Sequence, residues 1–292
     1  MAKRIAETDL ILQKDGSVYH LNLLPHHVGD TVIAVGDPNR VYQVSQHFDD
    51  IEVEINQREF ITHVGTYKGR KLTVISTGIG TDNIEICLTE IDALVNIDLK
   101  TREERPNRKN LTVIRIGTSG ALQEDIPVGT HLVTDYAVGF DNLMQFYSLP
   151  QDEFESTIAN DLKRQTEIDF LPYVVRGSSK LRDAIGFDMV RGNTVTAPGF
   201  YAPQGRELRI PIRYPKLLEQ LNYFHNREYN FWLTNFEMES AGYYAMGRLL
   251  GHQILSVNAI LANRVTNEFA SHPAKIMDAL ISKVLERIVS MS

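Results

Sequence analysis

The stretch Leu111-Thr112-Val113-Ile114-Arg115-Ile116-Gly117-Thr118-Ser119-Gly120 joins a β-branched apolar run to a turn rich in backbone donors and hydroxyls. The run reads as a buried strand, interrupted by one Arg. A buried guanidinium requires an anion or a carboxylate. Ligands of open α/β sheets bind beyond the carboxyl ends of the strands. Arg115, Thr118 and Gly120 are therefore candidates for holding an anionic ligand. An internal Arg–carboxylate pair followed by an ordinary turn accounts for the same residues. Arg40 and Arg58 also lie at strand or turn edges. Three guanidiniums suit an oxyanion, because their forks match phosphate geometry. Glu237 and Glu239 flank Met238 at a strand–helix junction. They either reach a ligand or serve the electrostatics of the helix N-terminus.

Other chemistries lack their residues. Gly117-Thr118-Ser119-Gly120 is no nucleophile elbow, since Ala121 stands where that motif needs Gly. Gly78-Ile79-Gly80 begins like a dinucleotide fingerprint, but Asn83 occupies the third Gly position. There is no P-loop Gly-Lys-Ser/Thr. The nine His show no zinc spacing, and the neighbours His26 and His27 cannot share one helix face. Cys87 falls on an apolar helix face and reads as a buried core thiol.

Alternating strands and helices must position the candidates. Thr31–Val35 is a strand ending in Gly36-Asp37-Pro38-Asn39-Arg40, with a helix after it. Residues 59–64 and 71–77 form a hairpin about Lys68-Gly69-Arg70. Asp82 and Glu85 have capping-box spacing at the start of a helix striped by Ile84, Cys87, Leu88, Ile91, Leu94 and Val95. Residues 131–138 and 254–262 are strands, and Met277, Ile281, Val284, Leu285 and Ile288 stripe a last helix. Residues 150–190 read only as helix and loop, and 207–233 have no clear assignment. The pattern predicts an α/β sheet covered on both faces. No linker or repeat interrupts it, so residues 1–292 read as one domain.

A net charge of −7 argues against general nucleic-acid binding, so an anion must be met by a local Arg cluster. One Cys excludes an intrachain disulfide. The first nine residues carry no signal-type core, and no apolar run is long enough to cross a bilayer. A cytoplasmic location is the default expectation.

Taken together, seven motifs in order resemble the nucleoside phosphorylase family, and its uridine phosphorylase branch in particular. They are Val35–Arg40, Gln57–Phe60, Ser76–Gly80, Ile114–Gly120, Phe200–Arg206, Phe236–Ser240 and Asn263-Arg264. The Phe-Tyr-x-x-Gln-x-Arg piece at 200–206 is the one that points to uridine. The resemblance implies a single three-layer αβα domain around a mixed, barrel-like sheet. It implies phosphate held by Gly36, Arg40, Arg115 and Thr118, with Arg58 from a neighbouring subunit. Ribose would be held by Met238 and Glu239, with the neighbour's His20 at the 5′-hydroxyl. Gly120, Phe200, Gln204 and Arg206 would surround uracil. Arg115, Glu239, Gln204 and Arg206 would carry the catalysis, and Leu261 and Ala262 would form an apolar wall. The active unit would be at least a homodimer, often built into a hexamer. Phosphate is a co-substrate and no cofactor is implied. Some bacterial members bind a monovalent cation through a Glu, an Ile carbonyl and a Ser; Glu59 and Ile79 match, but Asn83 replaces the Ser. The rival readings are a purine or broad-specificity phosphorylase, a nucleoside hydrolase of the same fold and a non-enzymatic nucleoside-binding protein.

Overall fold

The apolar runs of the sequence are strands buried on both faces. The computed structural model describes residues 4–291. Met1–Lys3, where the stretch read as lacking a signal core begins, and Ser292 lie outside that range. One 11-stranded mixed sheet organises the chain. Its strands are β1 (Thr31–Val35), β2 (Asp50–Gln57), β3 (Phe60–Tyr67), β4 (Arg70–Ser76), β5 (Thr112–Ala121), β6 (His131–Gly139), β7 (Tyr173–Arg176), β8 (Val190–Thr196), β9 (Asn235–Glu237), β10 (Gln253–Asn263) and β11 (Glu268–Phe269).

The sheet closes on itself. β5 pairs parallel with β10 and antiparallel with β9. β10 pairs antiparallel with β6, β6 runs parallel to β8, and β8 runs parallel to β9. Those five strands form a closed barrel. β1 extends it from β5, followed by β4, β3 and β2.

Helices cover both faces. On one, α2 (Thr81–Asn96) and α6 (Ser240–Leu250) bury Ile84, Leu88, Tyr243 and Tyr244 against Val32, Ile75 and Val113. On the other, α1 (Pro38–Ser45), α4 (Ser179–Ile185) and α7 (Pro273–Ser290) pack on Ile33, Val74, Ile114 and Val257. Each fully buried Leu, Ile or Val contributes roughly 1.5–3 kcal/mol. Cys87 is buried in the first core, and burial pushes its thiol pKa well up, as a core thiol requires.

Three local readings change. α2 begins at Thr81 with Gly80 as its N-cap, and no side chain caps it. Asp82 and Glu85 are thus both inside the helix and do not form a capping box. The stretch 150–190 contains β7 as well as α3 (Glu153–Gln165) and α4. Residues 207–233 fold as α5 (Leu217–Tyr223) and a small hairpin, 225–226 with 231–232. Leu217, Leu221, Phe224 and Phe231 bury against Ile158 and Leu162 of α3. This segment therefore builds a third core, and none of its residues lines the main cavity.

Candidate active site

The carboxyl ends of β1 and β5 and the start of α6 open on a cavity of about 720 Å³. Ten of the twelve residues expected from sequence line it: Gly36, Arg40, Arg115, Thr118, Gly120, Phe200, Gln204, Arg206, Met238 and Glu239. His20 and Arg58 do not.

Arg115 lies at the core of the site. Its Nη2 donates to Glu239 Oε2 at 2.6 Å and lies 2.8 Å from Glu237 Oε2. Its Nη1 donates to Asn258 Oδ1 at 2.8 Å and to Ser256 Oγ at 3.2 Å. The sequence left two readings open for this residue, an internal carboxylate pair and a ligand site. The internal pair is present, and Arg115 still lines the cavity. Burial favours the neutral guanidine, but the two carboxylates overcome it and hold the pKa above the usual Arg value. Gly117 makes the geometry possible: a Cβ there would overlap the Arg115 guanidinium.

The two Glu residues divide their work. Glu237 closes β9, and its carboxylate accepts the backbone N–H groups of Glu239 and Ser240 at 2.9 Å and the Thr196 hydroxyl at 2.6 Å. That is the helix N-terminal role weighed from sequence. Glu239 is the N-cap residue of α6, and its Oε1 accepts the Gly80 N–H at 3.0 Å. Burial raises its pKa; Arg115 opposes the rise and Glu237 adds to it.

Arg40 projects from the first turn of α1, where Asp37 caps the helix and Pro38 opens it. Its Nη1 reaches the Ile116 carbonyl at 3.4 Å, and its Nε has no partner among the described residues. Burial lowers its pKa, as expected of a guanidinium short of acceptors. Arg40 is thus a cation of this site with donor capacity left for an anion.

A second group gathers around Phe200. The Arg206 guanidinium stacks 3.8 Å from the centre of its ring. Arg206 Nη1 donates to the Phe200 carbonyl and to Gln204 Oε1, each at 2.6 Å. Arg264 Nη1 donates to the Gln204 carbonyl at 3.0 Å. Burial and the charge of Arg264 lower the Arg206 pKa to about 10. Leu261 and Ala262 line the cavity as the expected apolar wall, joined by Phe269. Phe269 arrives because β11 pairs it with Ala262; nothing in its sequence surroundings signalled this. Asn263 stays out of the cavity, its amide bonded to the carbonyls of Gln123 and Ile126 and to the N–H groups of Val265 and Thr266.

His20 and Arg58 instead meet each other's neighbourhood around Tyr19. The Tyr19 ring packs edge-on against His20 at 4.9 Å and carries the Arg58 guanidinium at 5.5 Å. His20 Nδ1 is 2.6 Å from Glu90 Oε1. Glu59, Ile79 and Asn83, the trio compared with a cation site, all line the main cavity, with Asn83 Nδ2 3.4 Å from the Ile79 carbonyl. Among the described residues no group of His, Cys, Asp and Glu could hold a metal ion, and no helix is long and apolar enough to cross a membrane.

Fold and cavity together define a class, and comparison with known proteins states it. Residues 30–289 match the phosphorylase superfamily, and the chain belongs to that family. A uridine phosphorylase of Thermococcus kodakarensis is 29% identical over 272 residues, 92% of this chain and 86% of that protein. A purine nucleoside phosphorylase of Vibrio cholerae is 26% identical over 255 residues, 85% of this chain and 86% of that protein. A Trypanosoma brucei nucleoside phosphorylase, described as showing uridine phosphorylase activity, superimposes with a TM-score of 0.89 at 30% identity, covering 97% of this chain and all of that one. The shared class is nucleoside phosphorylase, as the motif order implied, and the barrel fold expected from that resemblance is the observed one.

Proposed function

We propose that the protein catalyses reversible phosphorolysis of uridine, giving uracil and ribose 1-phosphate, a reaction of pyrimidine salvage. Phosphorolysis breaks the glycosidic C–N bond while phosphate attacks the sugar carbon from the opposite face. Positive charge grows on the ribose and negative charge on the departing base. Phosphate is the nucleophile, so the protein's contribution is positioning and electrostatic stabilisation. Arg40, which lines the cavity and whose Nε has no partner among the described residues, would bind phosphate alongside Arg115, Gly36 and Thr118. Glu239, held by Arg115 and the Gly80 N–H, would accept the ribose hydroxyls beside Met238. His20 and Arg58 would complete the site of a neighbouring subunit, making the active unit a homodimer or larger.

The observation that carries the base assignment is the Gln204–Arg206 pair. Arg206 has only donors, so its bond fixes Gln204 with Oε1 toward the guanidinium. Nε2 is then a donor of fixed placement, and the second lone pair of Oε1 can accept an N–H. A uracil edge offers carbonyl, N–H, carbonyl, and these groups complement it. Cytosine would set its N3 acceptor against Gln204 Oε1 and its amine against a donor, costing roughly 1–3 kcal/mol for each unmet group. No carboxylate stands between Ile260 and Arg264 to protonate a purine ring. The test is an ultraviolet assay of uridine, cytidine, inosine and adenosine, with and without phosphate. The expected result is phosphate-dependent cleavage fastest for uridine. Cleavage unchanged without phosphate would make the protein a hydrolase, and preference for inosine would overturn the base assignment.

A further inference from the structure

The closed barrel contains a line of polar side chains that the reaction described above does not use. Asn258, Thr134, Thr194 and Asn235 come from β10, β6, β8 and β9, and all are fully buried. Their bonds form one chain. Arg115 Nη1 donates to Asn258 Oδ1 at 2.8 Å, and Asn258 Nδ2 donates to Thr134 Oγ1 at 3.3 Å. The Thr134 and Thr194 hydroxyls are 2.7 Å apart, and Thr194 donates to Asn235 Oδ1 at 3.0 Å. Asn235 Nδ2 donates to Ser119 Oγ at 3.0 Å. Both end residues, Arg115 and Ser119, line the active-site cavity.

The two ends of the line set the direction of its bonds. A guanidinium accepts nothing, so Asn258 must turn its oxygen to Arg115 and its amine to Thr134. Thr134 accepts from Asn258, and because Thr194 spends its one proton on Asn235 Oδ1, the proton between the two hydroxyls comes from Thr134. Thr194 gives its own to Asn235, whose oxygen is thereby occupied and whose amine faces Ser119. An amide flip at Asn258 would set two donors face to face in a buried site, which is costly. Arg115 thus has an orienting partner on its Nη1 side that is itself held from behind.

We propose that Asn258 is a positioning residue for Arg115, holding its guanidinium for phosphate, with the buried chain behind it fixing the Asn258 amide. The proposal rests on the phosphate site assigned under Proposed function. Its neutrality matters: Asn258 orients Nη1 without adding a third negative charge to a guanidinium that already faces Glu237 and Glu239.

The test is calorimetric titration of the full chain with inorganic phosphate, beside steady-state kinetics. Asn258→Ala removes the acceptor and should weaken phosphate binding about tenfold, raising the KM for phosphate while the KM for the nucleoside stays within about twofold. Asn258→Asp is isosteric and keeps the acceptor, but its charge competes with phosphate for Arg115. It should weaken phosphate binding at least as much, in protein shown by its thermal unfolding to be folded at the titration temperature. A purely structural role would lower the amount of folded protein in Asn258→Ala and leave phosphate affinity alone in both variants. Wild-type protein that binds phosphate no better than the two variants overturns the positioning role. Wild-type protein that binds no phosphate overturns the site assignment, and the proposal with it.

Discussion

Arg115 Nη2 and Glu239 Oε2 lie 2.6 Å apart, both buried, at the wall of the cavity. One ion pair therefore joins the proposed phosphate and ribose sites. Removing Arg115 leaves Glu237 and Glu239 facing each other without a cation. Arg115→Met should destabilise the fold by about 3–5 kcal/mol, since breaking a buried pair leaves charge uncompensated. It should also reduce phosphate use by tenfold or more, as expected for losing a charge-assisted partner worth about 1.5–3 kcal/mol. Denaturant unfolding and the KM for phosphate check the two effects. Unchanged phosphate dependence in folded variant would remove Arg115 from the site.

The raised pKa of Glu239 gives a prediction of sign. Its protonated form is favoured in the folded protein relative to the unfolded chain. Its contribution to stability is therefore fully present below the unfolded carboxylate pKa and is lost as pH rises through the raised folded value. Activity runs the other way, because only the ionised carboxylate accepts both ribose hydroxyl protons. Over that pH interval kcat/KM for uridine should rise while Glu239 withdraws stability. Glu239→Gln should flatten this part of the stability profile and abolish most activity. A wild-type acid limb at or below the ordinary Glu range would contradict the assignment.

Arg58 and His20 supply a test of shared sites. Both stand at Tyr19, outside the cavity of their own chain. Arg58→Ala and Glu239→Ala proteins should each be nearly inactive. Mixed under conditions that let subunits exchange, they should recover part of the wild-type activity, because some sites then combine an intact Arg58 with an intact Glu239. Proven exchange with no recovery would show that each chain works alone.

Gln204 and Arg206 test the base. Gln204→Ala should lower kcat/KM for uridine by about tenfold to a hundredfold, the loss of one or two hydrogen bonds to a buried base edge. Phosphate affinity measured by calorimetry should be unchanged. A variant that loses phosphate binding equally would place Gln204 in the anion site.

The sequence and the structure differ in instructive places. The Arg115 strand was legible because an apolar β-branched run ending in Gly-Thr-Ser-Gly has few alternative folds. Its two readings could not be separated, since pairing with Glu237 and Glu239 depends on long-range registry; the pair is present, and Arg115 also lines the cavity. Helix α2 was legible from its apolar stripe, but its start was not: Gly80, with φ of 99°, occupies the N-cap without offering a side chain. Strand β7 is only four residues long, too short for a period to show. The segment 207–233 mixes aromatic and basic residues without periodicity, and its apolar side chains are buried against α3, far away in sequence. Asn258 gave no signal within its apolar strand because its role appears only when β10 meets β5.

That meeting has a consequence for how the protein is made. β10 inserts between β5 and β6 and closes the barrel, yet it is among the last strands of the chain. Before residues 253–263 are synthesised, β5 and β6 present unpaired edges to water and to other nascent chains. Arg115 then lacks Ser256 and Asn258, and the polar line through the barrel has a gap. Long-range parallel pairing is slow to form. The barrel and its cavity are thus completed together, late in biogenesis, and the interval before closure is when the chain is most exposed to aggregation.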